Sequence, residues 1–258
     1  VPDDAARGLG LIKVLMRRRL WWLGVLGDGG GYLAQAAALG VGSLLLVQPL
    51  LVSTLLFALP LAARWAGRRP TRSDWTWAVL LTAALVGFVL SGNPTEGVDR
   101  APVQEWLPAG AVLVGLLAGC LAGAARSRGM LRAVLLAAAT ALCYGVAAAL
   151  TKGVMGEFDQ GPVAVLTSWE TYLLMAASAG GTLLQQSAFQ AGALTASLPT
   201  MVVGEPLVAV ALGAVVLQEE LRADGLEWVL IGVLTGLMVI ATVQLARSSA
   251  RSEPARVG

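Results

Sequence analysis

The sequence predicts an all-α fold, a polytopic bundle of transmembrane helices built as an inverted-topology repeat. Composition is the first reason. Of 258 residues, 57% are hydrophobic and 13% charged, with a mean hydropathy of +0.73, whereas a soluble domain carries about 25% charged residues. The second is a series of eight apolar segments, at 21–41, 43–66, 75–91, 106–126, 131–151, 163–191, 195–217 and 226–246. A helix needs roughly 20 such residues to cross hydrocarbon. The third is a duplication at a spacing of 150 residues. Gly30–Pro60 (GGYLAQAAALGVGSLLLVQPLLVSTLLFALP) aligns without a gap on Gly180–Val210 (GGTLLQQSAFQAGALTASLPTMVVGEPLVAV). Apolar matches count for little, but Gly30/Gly180, Gly31/Gly181, Gln35/Gln185, Gly42/Gly192 and Pro49/Pro199 also coincide, and Arg72/Arg222 and Asp74/Asp224 extend the register.

Composition also excludes chemistry. Histidine is absent, which removes imidazole metal sites and His-dependent triads. Cys120 and Cys143 lie inside apolar runs and read as small packing residues, not a disulfide or metal pair. Gly29–Gly31 resembles a nucleotide loop only by glycine count, and it sits inside a span. No cofactor, enzymatic activity or nucleic-acid partner is expected. The expected partners are the lipid bilayer and a small-molecule solute, with a proton or divalent cation as coupling ion. Residues 1–20 are polar and basic and lack the apolar stretch of a cleavable signal.

Taken in order, the loops alternate in charge. Basic residues gather in the N-terminal segment (Arg7, Lys13, Arg17, Arg18, Arg19), after two crossings (Arg64, Arg68, Arg69, Arg72), after two more (Arg126, Arg128, Arg132) and in the tail (Arg247, Arg251, Arg256). The intervening loops are richer in acids: Glu96, Asp99 and Glu105, then Glu157 and Asp159, then Glu219, Glu220, Asp224 and Glu227. Lys and Arg favour the cytoplasmic side, so a multi-pass plasma-membrane protein with both visible termini cytoplasmic is expected. The repeats begin five helix steps apart, an odd number, so the second copy is upside down relative to the first. Such repeats supply two halves that rock about a central site.

The resulting organisation is 1–92 as a first repeat lacking its first helix and 93–129 as an outer loop plus linker helix. A second, inverted repeat at 130–247 and a cytoplasmic tail at 248–258 follow. The segment 131–151 has no counterpart 150 residues earlier, and the chain opens with Val1. A first helix is therefore expected to be missing, by truncation or a misplaced start, from a fold of nine or ten helices. This shorter form is expected to be inactive. In the linker helix Gly115, Gly119 and Gly123 recur every four residues. That stripe suits intramolecular packing, or as the sharper reading a homodimer seam.

Ionisable groups within spans are costly and are the first functional candidates. Glu205 leads: it lies mid-span before Pro206, with Pro199 upstream. Prolines remove backbone donors and free carbonyls, so a broken helix beside a carboxylate is expected, with Pro49 as the matching break in the first half. The alternative role for Glu205 is neutralising a basic partner or capping backbone donors. Asp28 sits among Gly27 and Gly29–Gly31 as a second binding or coupling candidate, with helix–helix hydrogen bonding as its rival. Glu170, between Trp169 and Tyr172, reads as interfacial first and functional second. Lys152 ends its span and is expected to snorkel outward, with pairing to Glu170 as the alternative. Gln35, Gln185 and Gln186, with Gln48 and Gln190, are donor–acceptors that either line a cavity or glue helices. The register-matched Gln35 and Gln185 favour lining. Trp21, Trp22, Trp75 and Trp106 are anchors at span ends. Tyr144 and Trp228 receive no role.

Leu183–Leu221 (LLQQSAFQAGALTASLPTMVVGEPLVAVALGAVVLQEEL) resembles the fourth-helix signature of the drug/metabolite transporter superfamily (EamA-like). That element is rich in small residues, carries a mid-span proline and ends in a short acidic turn. Ser43–Arg69 resembles it in the first half. The resemblance covers nearly the whole chain. It is closest to an actinobacterial integral membrane branch of that group and more distant to NIPA-type magnesium transporters of nine helices. It implies secondary transport of a small solute, often export, driven by protons or by the solute's own gradient. The departures are the lost first helix and the merged segment 163–191. A divalent-cation permease, with carboxylates converging on a hydrated ion, and a non-transporting membrane scaffold are the alternatives.

Overall fold

The computed structural model describes residues 19–65, 70–95, 97–191 and 194–252. Arg7, Lys13, Arg17, Arg18, Arg68, Arg69, Glu96, Gly192 and Arg256 lie outside the described residues. The described residues are helical, and the all-α class holds. The chain divides into two compact units, Val1–Ala38 and Leu39–Gly258. The first contains most of α1 (Arg19–Leu39).

The second unit begins with α2 (Leu44–Val52) and α3 (Thr54–Trp65). Ser43 caps α2, its hydroxyl accepting the Leu46 N–H at 3.2 Å. Pro49 lacks the N–H that would bond back one turn. The helix stops at Ser53, where the Ser53 and Thr54 hydroxyls donate to the Leu50 and Leu51 carbonyls at 2.6 and 2.7 Å. The single span expected over 43–66 is therefore two shorter helices. In α4 (Arg72–Gly92) Thr71 and Asp74 close a reciprocal capping box. Beyond it lie α5 (Val103–Arg126) and α6 (Gly129–Gly156).

Helix α6 is the axis of this unit. It is the longest of the described helices at 28 residues, and alanines fill much of its buried surface. Small residues let backbones approach. A Cβ on Gly145 would lie 2.6 Å from Val208, and one on Gly204 2.7 Å from Ala141 Cβ, so α9 (Leu194–Val215) crosses α6 at close range. A Cβ on Gly181 would lie 2.6 Å from Tyr144, which seats α8 (Trp169–Gln190) on another side. Gly181 is thus a packing position, and α8 runs through Gly180 and Gly181 without a break. The segment 163–191 breaks instead at Ser168 (φ −69°, ψ 132°), between α7 (Pro162–Thr167) and α8. A second correction concerns Pro199 and Pro206. Helix α9 runs unbroken through both, as neighbouring helices permit in membrane bundles. Helix α10 (Leu226–Ser252) packs on α4, α9 and α3.

Five described helices, α4, α5, α6, α9 and α10, are long and apolar enough to cross a membrane, against the eight segments expected. The chain is a helical membrane protein. Helix α8 is more polar, carrying Glu170 and three glutamines.

The contacts sort the second unit into two ends. At one, the turn after α4 meets the turn after α9. Thr95 N–H donates to Glu220 O and Val98 N–H to Leu217 O, both at 2.8 Å. Gly97 (φ 63°) is required there, because a Cβ would fall 2.3 Å from Leu217 O. The first turns of α5 and α8 join this end through an edge-to-face pair, Trp106 and Trp169, with centroids 5.8 Å apart. Asp99, Glu105, Glu157, Asp159, Glu219, Glu220, Asp224 and Glu227 gather at this acidic end, and Arg126, Arg128, Arg132 and Arg247 at the other.

The acidic end is held by Glu219. Gln218 adopts a left-handed backbone (φ 55°) and turns Glu219 back into the bundle. Lys152 Nζ donates to Glu219 Oε1 at 2.8 Å, and the Leu44 and Leu45 N–H groups donate to Oε1 and Oε2 at 2.8 and 3.0 Å. Both side chains are 2% exposed or less. The carboxylate thus answers a cation and the positive end of α2 together. Lys152 does not snorkel outward. Its alternative partner, Glu170, is corrected as well, because that role falls to Glu219.

Removing one member of a buried pair strands the other, at a cost of about 3–5 kcal/mol. Lys152→Met is expected to lower the unfolding free energy in detergent by that amount. Adding Glu219→Gln to Lys152→Met should recover part of the loss. Additive losses would show that the pair carries no coupling.

Candidate functional site

Among the described residues of the second unit, two polar side chains within apolar helices stand out, one an acid and one a buried amide. Glu205 sits midway along α9 and is half-buried. No hydrogen bond or ion pair joins its carboxylate to the described residues. Gln48, in α2, is 1% exposed, and neither Nε2 nor Oε1 has a hydrogen-bond partner. Burying an amide unpaired costs roughly 2–7 kcal/mol by transfer from water, and a membrane supplies no water to relieve it.

Open space lies near both residues, lined by their chain neighbours and not by the two side chains themselves. A recess of about 400 Å³ starts at the basic end, between Met130 on α6, Thr195 on α9 and Arg247 on α10, and reaches Val203 and Gly204, next to Glu205. An apolar cavity of about 160 Å³ lies among α2, α4, α9 and α10. Its lining includes Pro49 beside Gln48 and Pro206 beside Glu205. The prolines expected to break helices thus line space. A further recess of about 370 Å³ at the basic end is bordered by Arg128, Arg132, Ser187 and Gln190.

The other sequence candidates scatter. Gln185 accepts a hydrogen bond from Tyr144 Oη at 3.1 Å, and Tyr144 and Thr182 hydroxyls lie 3.2 Å apart. This pairing across α6 and α8 gives Tyr144 the structural role that the sequence withheld, and makes Gln185 helix glue. Gln186 is exposed. Glu170 is buried at the acidic end and clasped by Arg100, whose Nε and Nη2 donate to Oε1 and Oε2 at 2.6 and 3.0 Å. Ser168 Oγ also donates to Glu170, and Arg100 Nη1 to Glu157. These bonds to Glu170 hold the Arg100 pKa above its ordinary value. The Glu170 carboxylate is therefore fully engaged and not free to bind a solute. In the first unit Asp28 is exposed and Gln35 half-buried, and the glycines around Asp28 face open space. Gly115 and Gly119 likewise face open space among the described residues, whereas Gly123 meets Leu135. Among the described residues no group of three or more Cys, Asp or Glu side chains is placed to hold a metal ion.

Sequence reasoning ranked Glu205 first but passed over Gln48 as one glutamine among several. Its position directly before Pro49, in an otherwise apolar helix, was the available signal.

These contacts predict opposite responses to the same isosteric change. Glu205→Gln should leave the unfolding midpoint unchanged or raise it. Glu170→Gln should lower stability by about 1–2 kcal/mol, a charge-assisted bond reduced by the exposure of Arg100. Equal losses in thermal unfolding would mean that Glu205 has a structural partner.

No family model matches the chain, and no solved structure matches it. One relative is the uncharacterized protein Cgl0250/cg0304 of Corynebacterium glutamicum. It is 36% identical over 248 residues, covering 96% of this chain and 86% of the relative. The chain belongs to the same family as that corynebacterial protein.

Proposed function

We propose that the chain is a secondary-active membrane transporter, and more specifically an exporter, that moves a small metabolite or drug-like solute by alternating access. The observation that carries this reading is the pair of unpartnered polar groups, Glu205 and Gln48, within the apolar bundle. A structural scaffold has no use for them, and transporters place ionisable groups at their solute and ion sites. Asymmetry between the ends supports it: the acidic end is tied shut, while the basic end opens into a recess that approaches Glu205. Helices matched by the 150-residue repeat also pack on each other, α2 on α9 and α4 on α10, as expected of halves related by a pseudo-two-fold axis. The resemblance to the drug/metabolite transporter superfamily points the same way.

In this reading Glu205 binds the solute or its coupling proton, and the basic end faces the cytoplasm of the plasma membrane. A magnesium-type permease would need converging carboxylates, and Glu170 is already committed to Arg100.

The test is transport in proteoliposomes under an imposed pH gradient, against a panel of amino acids, nucleotide sugars, quaternary ammonium drugs and Mg²⁺. Glu205→Gln should reduce uptake of any active solute at least tenfold and abolish its pH dependence. Wild-type rates with an unchanged pH profile would remove Glu205 from the mechanism.

A further inference from the structure

Among the described residues Gln48 alone buries side-chain polar atoms that have no hydrogen-bond partner. Its surroundings explain why. Helices α2 and α9 meet at the acidic end, where a Cβ on Gly213 would lie 3.1 Å from Leu44 Cβ. One turn inward carries α2 from Leu44 to Gln48 and antiparallel α9 from Gly213 to Ala209. The next turn of α9 brings Glu205. Ala209 is fully buried and offers no side-chain donor or acceptor. The residues of α2 and α9 that line the adjacent cavity, among them Leu45, Pro49, Val202 and Pro206, are all apolar, and the hydroxyls in its lining, Thr235 and Thr242, belong to α10. Nothing along this seam serves the amide.

The seam is closed at its outer edge by Glu219, which binds the first N–H groups of α2 from the turn that ends α9. Releasing Glu219 frees the start of α2 from α9, and the first polar side chain exposed below that edge is Gln48. An amide costly in one state and useful in another biases the equilibrium between them.

We propose that Gln48 is a solute-contacting, specificity-determining residue. In the conformation open at the acidic end, its amide pairs with a neutral or zwitterionic group of the solute that both donates and accepts hydrogen bonds. This rests on the transporter reading and extends it from one carboxylate to a two-point site, Glu205 for charge and Gln48 for the donor–acceptor group.

The test is cysteine accessibility in a Cys120→Ala/Cys143→Ala background, with the chain in lipid nanodiscs. The reagent is the water-soluble cation 2-(trimethylammonium)ethyl methanethiosulfonate. Leu81→Cys, at a fully buried apolar position, sets the unreactive baseline, and Thr200→Cys, in the basic-end recess, reports that vestibule. The thiol of Gln48→Cys should react at least tenfold faster than that of Leu81→Cys, and Glu219→Gln should accelerate it further. Reaction at Thr200→Cys without reaction at Gln48→Cys would overturn the proposal and leave the transporter reading standing. No reaction at either would count against both. Should Gln48→Cys not fold, thermal unfolding of Gln48→Leu decides. A higher midpoint than wild type is expected from loss of an unpaired amide, and a lower one would show that the amide is already satisfied.

Discussion

The second unit depends on one carboxylate. Glu219 leaves the end of α9 in a left-handed turn, enters the bundle, and there meets a cation from α6 and two backbone donors from the start of α2. Any two of these elements alone would leave a charge or a lone pair unmet. Lys152 without Glu219 is a buried ammonium, and Glu219 without α2 is a carboxylate with spare lone pairs in a dry site. All three elements must therefore arrive together, which fixes where α2 starts, where α9 ends and how deep α6 sits. Gly213 is small for the same reason: a Cβ there would fall 2.6 Å from Glu219 Oε2. The Arg100 clasp and the paired turns at Thr95 and Val98 extend this closure sideways.

A knot of charge at one end has consequences for movement. Apolar packing between α2 and α9 has no directional preference, but the Glu219 contacts are all-or-none, since geometry and desolvation are lost together. Such a contact suits a two-state gate better than a graded hinge. At the basic end, charges stand apart around open recesses, and the tightest packing lies deeper, where Gly204 meets Ala141 and Gly145 meets Val208. Under the proposed transporter reading, closure at one end, opening at the other and unpaired polar groups between them correspond to one of two arrangements.

Much of this was legible in the sequence, for stated physical reasons. Helix positions follow from the length of apolar runs, and the sorting of charge between the ends from loop composition. Glu205 stood out because a lone acid in an apolar span is expensive. What stayed hidden was pairing. Lys152 and Glu219 are 67 residues apart, and nothing local marks them as partners, so Lys152 read as a snorkelling side chain and Glu219 as a loop acid. Glu170 read without its partner because Arg100 reaches it from 70 residues away. Proline chemistry misled in a different way: Pro199 and Pro206 lack their own donors, yet α9 stays helical through both. Gln48 was visible as a residue, but its isolation is a property of packing that no one-dimensional pattern contains.

The measurement closest to the central claim is the width of the acidic end in a bilayer. Spin labels at Phe158 and Asp224, exposed positions beside α6 and α10 at that end, would report it by double electron–electron resonance. A gate latched by Glu219 predicts two distance populations, with the longer one growing when Glu219 is replaced by Gln. A single short distance, unchanged by that substitution in a folded protein, would contradict the gate and leave Glu219 as a structural tie alone.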